Sequence, residues 1–418
     1  MSRRKAVSVV GIGDDGCLGL TSRAMGVITN AQVLVGGERH LEFFPQFHGR
    51  RISLKNGIAS ALDEIVQLAE EQNVCILASG DPLFFGVGGL VIQKIGAEHV
   101  EIIPQLSSVQ LAFARAGLKW DDAAFISLHG RPLTGFLAKL KRLSKLAVLT
   151  DDTNSPTKIA AHMTESGETR WQAWVCESLG AADERVRAFS LQELTVTEDI
   201  RPLNVLLLRR DDPGWRRPPT IPFLHEEAFA KRMPKKGLIT KREVRLLSLA
   251  MLHIKPDSVV WDIGAGSGSV SIEAAWLAPE GRIYAIEVDP EGAEICRDNM
   301  RIHAVDNVRV VEGKAPVVLS DLESPHAIFV GGSKGSMEAI IDVALERLHP
   351  GGRLVVNTIT LENAGEAYQS IRRHRLVPEV TLLQVSRSEP LAHYLRYEAL
   401  NPIQIFAVTK PEAAEVPA

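Results

Sequence analysis

Hydrophobic residues in this chain fall into short apolar runs separated by stretches of helical spacing, and the pattern occurs in both halves. In the first half, Ala6–Val10, Ala31–Val35 and Val74–Ala78 read as strands. Ile58–Glu70, with apolar residues at helical spacing, predicts a helix leading into the last of them. Lys145–Leu149 and Leu203–Leu208 are apolar runs that close this half. In the second half, Ser258–Ile263 predicts a strand, Val270–Leu277 a helix, Arg282–Glu287 a second strand and Val308–Val311 a third. Such alternation predicts α/β architecture in both halves.

The pattern breaks between residues 210 and 240. Asp211–Pro219 is dense in turn formers and charge, and Pro213, Pro218 and Pro219 argue against a continuous helix or central strand. The chain is therefore divided into a domain at 1–210, a join at 211–236 and a domain at 237–418. The join reads equally as a linker or as an ordered active-site arm, because Phe223, Phe229 and Met233 are apolar for a mere spacer. Thr240-Lys241-Arg242-Glu243 then has the form of a capping box, with Thr240 and Glu243 expected to satisfy each other's amides at the start of a helix running to Leu252.

Bulk properties agree with two soluble domains. The 418 residues exceed one ordinary core, and 45% hydrophobic with 23% charged residues is ordinary globular composition. A formal charge of −4 gives no footing for nucleic acid or an anionic membrane. The basic start meets Gly11, Gly13, Asp14 and Asp15 too early for a signal-peptide core. Cys17, Cys75, Cys176 and Cys296 are scattered without metal-ligand or redox spacing. Structural thiols in a reducing cytoplasm, and no metal site, are the expectation.

The chemistry is concentrated after the strand that ends at Asp262-Ile263. Gly264-Ala265-Gly266-Ser267-Gly268 lets a ligand approach the backbone, and the amides of the helix that follows can receive an anion. Glu287 ends the next strand, placed to bind two ribose hydroxyls. A dinucleotide site wants a glycine where Ser269 stands, and Asp262 would repel a pyrophosphate while suiting the ammonium of a methionine moiety. Leu348–Leu354, containing Pro350-Gly351-Gly352, resembles a turn found in methyltransferases that use S-adenosylmethionine (SAM). Their usual pattern has an acid near the adenine where Lys314 stands, which leaves backbone contact at Ala315. Phe329-Val330-Gly331-Gly332-Ser333-Lys334-Gly335 predicts a glycine-lined floor suited to a large planar substrate.

Together these stretches resemble the carbon-15 methyltransferases of cobalamin biosynthesis, which are also decarboxylases. In the first half, Val9–Gly16, Ala78–Gly86, Pro104–Gln110 and Ser127–Arg131 resemble the tetrapyrrole methyltransferases, above all those acting on carbon 5. The resemblance implies a two-lobed tetrapyrrole methyltransferase fold, then a Rossmann-like class I SAM methyltransferase fold, with one SAM site in each. The substrate it implies is a precorrin, methylated at carbons 5 and 15 and decarboxylated at the ring C acetate. The implied SAM contacts are Gly11, Gly13, Asp81, Gly86, Ser107 and Ser108 in the first domain. In the second they are Thr240, Asp262, Gly264, Ala265, Gly266, Ser267, Gly268, Glu287 and Ala315.

A carboxylate-rich substrate calls for basic groups at each pocket. Arg131 and the pair Arg50-Arg51 are the candidates in the first half, with His129 beside them. Arg387, His393 and Arg396, in a basic segment expected to be irregular, are those in the second. Lys231, Arg232, Lys235 and Lys236 in the join read as solvated charge. Asp81 is expected to cap the amides of its own loop. Homo-oligomerisation follows from the resemblance. An RNA or protein methyltransferase joined to an unrelated domain is the alternative, and a non-catalytic SAM sensor is a third reading.

Overall fold

The computed structural model describes residues 7–55, 57–218, 223–231 and 239–412. Ala6, Pro219 and the join residues Arg232, Met233, Lys235 and Lys236 lie outside the described residues. Two compact units are present, residues 1–132, 144–162 and 169–213 in one, residues 133–143, 163–168 and 214–418 in the other.

The first unit holds two five-stranded sheets. β1 (Val7–Ile12), β2 (Val33–Gly36), β3 (Arg50–Ser53), β4 (Val74–Ser79) and β5 (Val100–Ile103) form a parallel sheet in the order β3-β2-β4-β1-β5. Its central strands are covered on both faces. Val7, Val9 and Ile76 pack on one side, Val10, Cys75 and Leu77 on the other. That is why these strands read as unbroken apolar runs. The helix expected at 58–70 spans Leu62–Ala69, and Ile58–Ala61 form a turn ahead of it. Apolar spacing continues through such a turn, so periodicity alone overran the boundary.

The second sheet of this unit contains β6 (Ala124–Ser127), β7 (Lys145–Leu149), β8 (Trp171–Glu177), β9 (Arg185–Ser190) and β10 (Asn204–Arg210). Their order is β6-β7-β10-β8-β9, mostly antiparallel, with buried Val205–Leu208 at the centre.

The second unit is a seven-stranded sheet plus a hairpin. Its strands are β11 (Val259–Ile263), β12 (Arg282–Glu287), β13 (Val308–Glu312), β14 (Ala327–Val330), β15 (Arg353–Thr358), β16 (Glu379–Leu383), β17 (Ser386–Leu391), β18 (Tyr394–Ala399) and β19 (Ile403–Thr409). The order is β13-β12-β11-β14-β15-β19-β16, parallel except for β19, which runs antiparallel between β15 and β16. The chain builds outward from β11 to β13, then returns to start β14 on the other side of β11. That reversal opens a crevice at the carboxyl ends of β11 and β14, the place where α/β sheets bind ligands.

Two local expectations change. The segment holding Arg387, His393 and Arg396 is not irregular; it is the β17–β18 hairpin, turned by Ala392 (φ +52°) and His393. The capping box does not form either. The helix Arg242–Met251 has Lys241 at its N-cap with no side-chain cap, and the Glu243 carboxylate is drawn away by Arg242 and Arg387. Ion pairing with two guanidiniums outcompetes a single amide.

Candidate cofactor sites

In the second unit, the loop after β11 is folded against the end of β12. The Gly264 and Ala265 amides both donate to the Ile286 carbonyl, at 2.9 and 3.0 Å. The Glu287 carboxylate accepts from the Gly266 amide at 2.7 Å and from the Asp289 amide at 2.9 Å. Each oxygen keeps a lone pair for a ligand hydroxyl. Gly264 lies at φ +78°, and a Cβ there would sit 2.8 Å from the Gly332 backbone. Only glycine lets the loops after β11 and β14 come so close.

A cavity of about 610 Å³ opens above this junction, within the size range of small-molecule sites. Thr240, Gly264, Ala265, Gly266, Ser267, Glu287 and Ala315 all line it. Gly331, Gly332 and Ser333 from the loop after β14 line it too, as do Lys314 and Ile359. Thr240 takes part as a wall residue and not as a helix cap.

Asp262 and Gly268 are not among the lining residues. Gly268 (φ +74°) is the N-cap of the helix Ser269–Leu277, packed where any Cβ would strike the Cys296 thiol. Asp262 is buried beneath the loop and bonds Ser271 through both its hydroxyl and its amide. A helix-start amide expected to face a ligand is thus taken by Asp262. Burial pushes the Asp262 carboxyl up to about 7, with Glu287 adding to the shift and the Ser271 bonds opposing it. Two buried polar atoms lack a partner here, Asp262 Oδ1 and Ser267 Oγ. A ligand with an ammonium group and hydroxyls, such as SAM, suits this combination of an unsatisfied carboxylate oxygen, a free hydroxyl and the half-engaged Glu287.

The raised Asp262 value has a consequence for stability. A carboxyl protonated more readily in the folded state favours folding below its unfolded value of 3.8 and loses that contribution as pH climbs through 7. Asp262→Asn is therefore expected to melt a few degrees above the parent at pH 8, the gap narrowing toward pH 5. Calorimetry at both pH values checks this; a gap independent of pH contradicts it.

The basic residues expected at this site are not among its lining residues. Arg387 pairs with Glu226 at 2.9 Å and with Glu243, and is not among the cavity-lining residues. Burial would raise the Glu226 carboxyl, but the Arg387 guanidinium and the Arg242 amide overcome it and hold the group at about 2. Arg387 thus ties the hairpin to the chain ahead of the helix Arg242–Met251. Removing it strands the buried Glu226 carboxylate, so Arg387→Ala is expected to cost on the order of 2 kcal/mol of stability. Urea denaturation tests this. Unchanged stability with weakened substrate binding would instead return Arg387 to the site. His393 sits exposed at the hairpin tip and does not line the cavity, because a two-residue turn presents it to solvent. Arg396 is exposed and pairs with Glu398 at 3.3 Å.

Within the join, Phe223–Lys231 is held to the sheet unit. Phe229 is buried, and the Ala230 amide and carbonyl are both bonded by the Asn299 side chain. Arg245, wholly buried, pairs with Glu273 at 2.8 Å and donates to the Leu224 carbonyl. Lys231, read from sequence as solvated charge, lines the cavity. So do Lys241 and Lys334, which were missed. Only the position of Lys334 inside a glycine-rich strand end could have flagged it.

In the first unit the loops after β1, β4 and β5 meet at one sheet edge. The Gly80 amide donates to the Ile12 carbonyl at 2.9 Å. A Cβ at Gly11 would overlap the Gly80 carbonyl and lie 2.7 Å from the Gln105 amide. Gly13 follows β1, half-buried. The Asp81 carboxylate accepts from the Leu83 amide at 2.8 Å and so shapes the loop that carries Gly86. Ser107 forms a capping box with Gln110, and Ser108 is the exposed first residue of that helix. Phe85, exposed in this loop at φ +53°, is an outlier the sequence did not signal.

The basic candidates of the first unit divide. Arg51 donates to the Phe44, Pro45 and Phe47 carbonyls, and Arg50 pairs with Glu64, so both are engaged structurally. Arg131 is exposed in a turn whose carbonyl accepts from the Asn154 side chain at 2.8 Å. His129 approaches the Thr150 carbonyl at 3.4 Å, a structural contact. Among the described residues, His225, Glu226 and Glu227 form the one group close enough to hold a metal ion, and Glu226 is already engaged by Arg387. The four cysteines are free, and no described helix is long and apolar enough to cross a membrane.

Comparison with known proteins agrees with this geometry. Residues 6–195 match the family of tetrapyrrole (corrin/porphyrin) methylases, and residues 231–410 match the precorrin methyltransferase domain. A precorrin-6Y C(5,15)-methyltransferase [decarboxylating] of Sinorhizobium is 34% identical over 406 residues, 97% of this chain and 96% of that protein. A cobalt-precorrin-7 C(5)-methyltransferase of Salmonella typhimurium is 36% identical over 180 residues, 43% of this chain and 88% of its own length. A cobalt-precorrin-6B C(15)-methyltransferase (decarboxylating) of the same organism is 36% identical over 175 residues, 42% of this chain and 90% of its own. The chain belongs to the family of precorrin-6Y C(5,15)-methyltransferases (decarboxylating), whose methyl donor is S-adenosylmethionine.

Proposed function

We propose that the chain methylates carbons 5 and 15 of precorrin-6Y and removes the carboxyl of its ring C acetate, giving precorrin-8x in cobalamin biosynthesis. Each unit holds its own SAM site. The domain at 1–210 acts on carbon 5, the domain at 237–418 acts on carbon 15 and decarboxylates, and Lys231 of the join lines the second site. The observation that carries this reading is the cavity at the reversal point of the β11–β14 sheet, where Gly264, Gly266, Ser267 and Glu287 meet. The 3-2-1-4-5-7-6 strand order with one antiparallel member supports a Rossmann-like class I methyltransferase fold. The two sheets of the first unit support the two-lobed tetrapyrrole methyltransferase fold.

SAM, when bound, supplies an electrophilic methyl group on a sulfonium. The protein's task is placement. Glu287 holds ribose hydroxyls, Ser267 and the Gly264–Gly266 backbone fix the amino-acid end, and the Ala315 backbone borders the adenine. Meso carbons of a reduced tetrapyrrole are enamine-like nucleophiles, so alignment and exclusion of water supply much of the rate without a strong base. Ile263, Ile340, Ile359 and Leu383 give the cavity an apolar share of its wall. In decarboxylation the bond between the acetate methylene and its carboxyl carbon breaks. Its electron pair enters the conjugated macrocycle, carbon dioxide leaves, and a proton from water completes the methyl group.

Incubation with SAM and precorrin-6Y tests the proposal by mass spectrometry. Two methyl additions and loss of one carbon dioxide are expected. An unchanged tetrapyrrole alongside methylated RNA or protein would favour the alternative enzyme. The family resemblance also supports a homo-oligomer, which sedimentation decides, and the free cysteines suit a reducing cytoplasm.

A further inference from the structure

We propose that Lys334, Lys241 and Lys231 form a carboxylate-recognition rim around the second unit's cavity, holding anionic side chains of a flat polycarboxylate that lies over Gly332. The proposal rests on reading this cavity as a methyltransferase site.

All three lysines line the cavity. Among the described residues, none has an ion-pair or hydrogen-bond partner for its ammonium. The neighbouring guanidiniums differ: Arg242, Arg245 and Arg387 are all engaged by carboxylates. The acids of the lining are Glu287 and Asp289, and both are occupied. Glu287 accepts two amides, and Asp289 caps the helix Pro290–Ile302. The free charge facing the cavity is therefore positive, in a protein whose formal charge is −4.

Lys334 carries a second signal. It sits at φ +48°, a left-handed conformation that costs a long side chain free energy and would cost glycine little. Glycine occupies the adjacent position, Gly335. A lysine kept in strained backbone at a cavity wall is explained by what its side chain reaches. Gly332 is the complementary case. It is absent from the positive-φ residues, and a Cβ there would meet nothing within 4 Å. Neither backbone conformation nor protein packing demands glycine at this position. A planar ligand lying on that floor does.

The rim serves carboxylates that remain in the product. An ammonium beside the departing carboxylate would stabilise the ground state and oppose cleavage of its carbon–carbon bond. The acetate that loses carbon dioxide is therefore assigned to the apolar wall of Ile263, Ile340 and Leu383.

The test uses the full chain with SAM and precorrin-6Y. Lys334→Gly removes the charge and the strain together, so folding is preserved. KM for carbon-15 methylation is expected to rise about tenfold, with SAM affinity and carbon-5 methylation unchanged. Lys241→Gln should act in the same direction, and Lys334→Arg should restore most of the loss. The KM of the parent should rise with salt more steeply than that of Lys334→Gly. Equal KM values for the parent, Lys334→Gly and Lys241→Gln would overturn the rim while leaving the enzyme's activity intact. A parent that fails to methylate carbon 15 at all would overturn the functional reading itself.

Discussion

Replacing Glu287 by Ala is expected to lower carbon-15 methylation at least a hundredfold and to leave carbon-5 methylation near the parent value. Two hydrogen bonds from ribose hydroxyls to a carboxylate are each worth about 1.5–3 kcal/mol, together a factor of roughly 10²–10⁴. The substitution also strands the Gly266 and Asp289 amides that Glu287 now accepts. The cofactor loop loses its support together with its ligand contact. Glu287→Gln keeps one acceptor oxygen and should fall between the two. Product analysis by mass spectrometry separates the outcomes: mono-methylated product still bearing its acetate carboxyl is expected. Loss of both methylations would show that the two units do not act independently.

Gly11→Ala is expected to give the opposite pattern, with carbon-5 methylation lost and carbon-15 methylation retained. The added methyl would overlap the Gly80 carbonyl and crowd the Gln105 amide, both rigid backbone. One of the three loops at the sheet edge must move, and Gly80, Asp81 and Ser107 move with it. Overpacking of this kind typically costs about 1–3 kcal/mol, so the fold should survive while the loops lose register. Melting of the variant checks the first part, and the position of the transferred methyl, read by NMR with ¹³C-labelled SAM, checks the second. Parent-level carbon-5 methylation would remove these loops from the first cofactor site.

What could be read from the chain depended on how local the determinants were. The loop at Gly264–Gly268 was legible because strand, glycines and the acid ending the next strand follow one another within a single α/β unit. The parallel core of the first unit was legible because strands buried on both faces are continuously apolar. The ion pairs of Arg387 were not legible for the converse reason. Its partners Glu226 and Glu243 lie 161 and 144 residues away in the chain. The same long-range pair undid the capping box at Thr240, whose acid had a stronger partner waiting. The insertion of β19 between β15 and β16 leaves no trace in a hydrophobic pattern. Lys241 and Lys334 became visible as a pair only once the sheet brought the start of one helix beside the loop after β14. Asp262 is an intermediate case. Its type and position were apparent, but its role beneath the loop depended on Ser271, in the first turn of the next helix.

We propose that one chain carries two dissimilar SAM sites, one in each unit. The most direct measurement of this is the stoichiometry of SAM binding to the full chain by titration calorimetry, beside Glu287→Ala and Gly11→Ala. Two equivalents per parent chain and one for each variant are expected, with the surviving site keeping its parent affinity. A single equivalent for the parent, abolished by one substitution and untouched by the other, would contradict it.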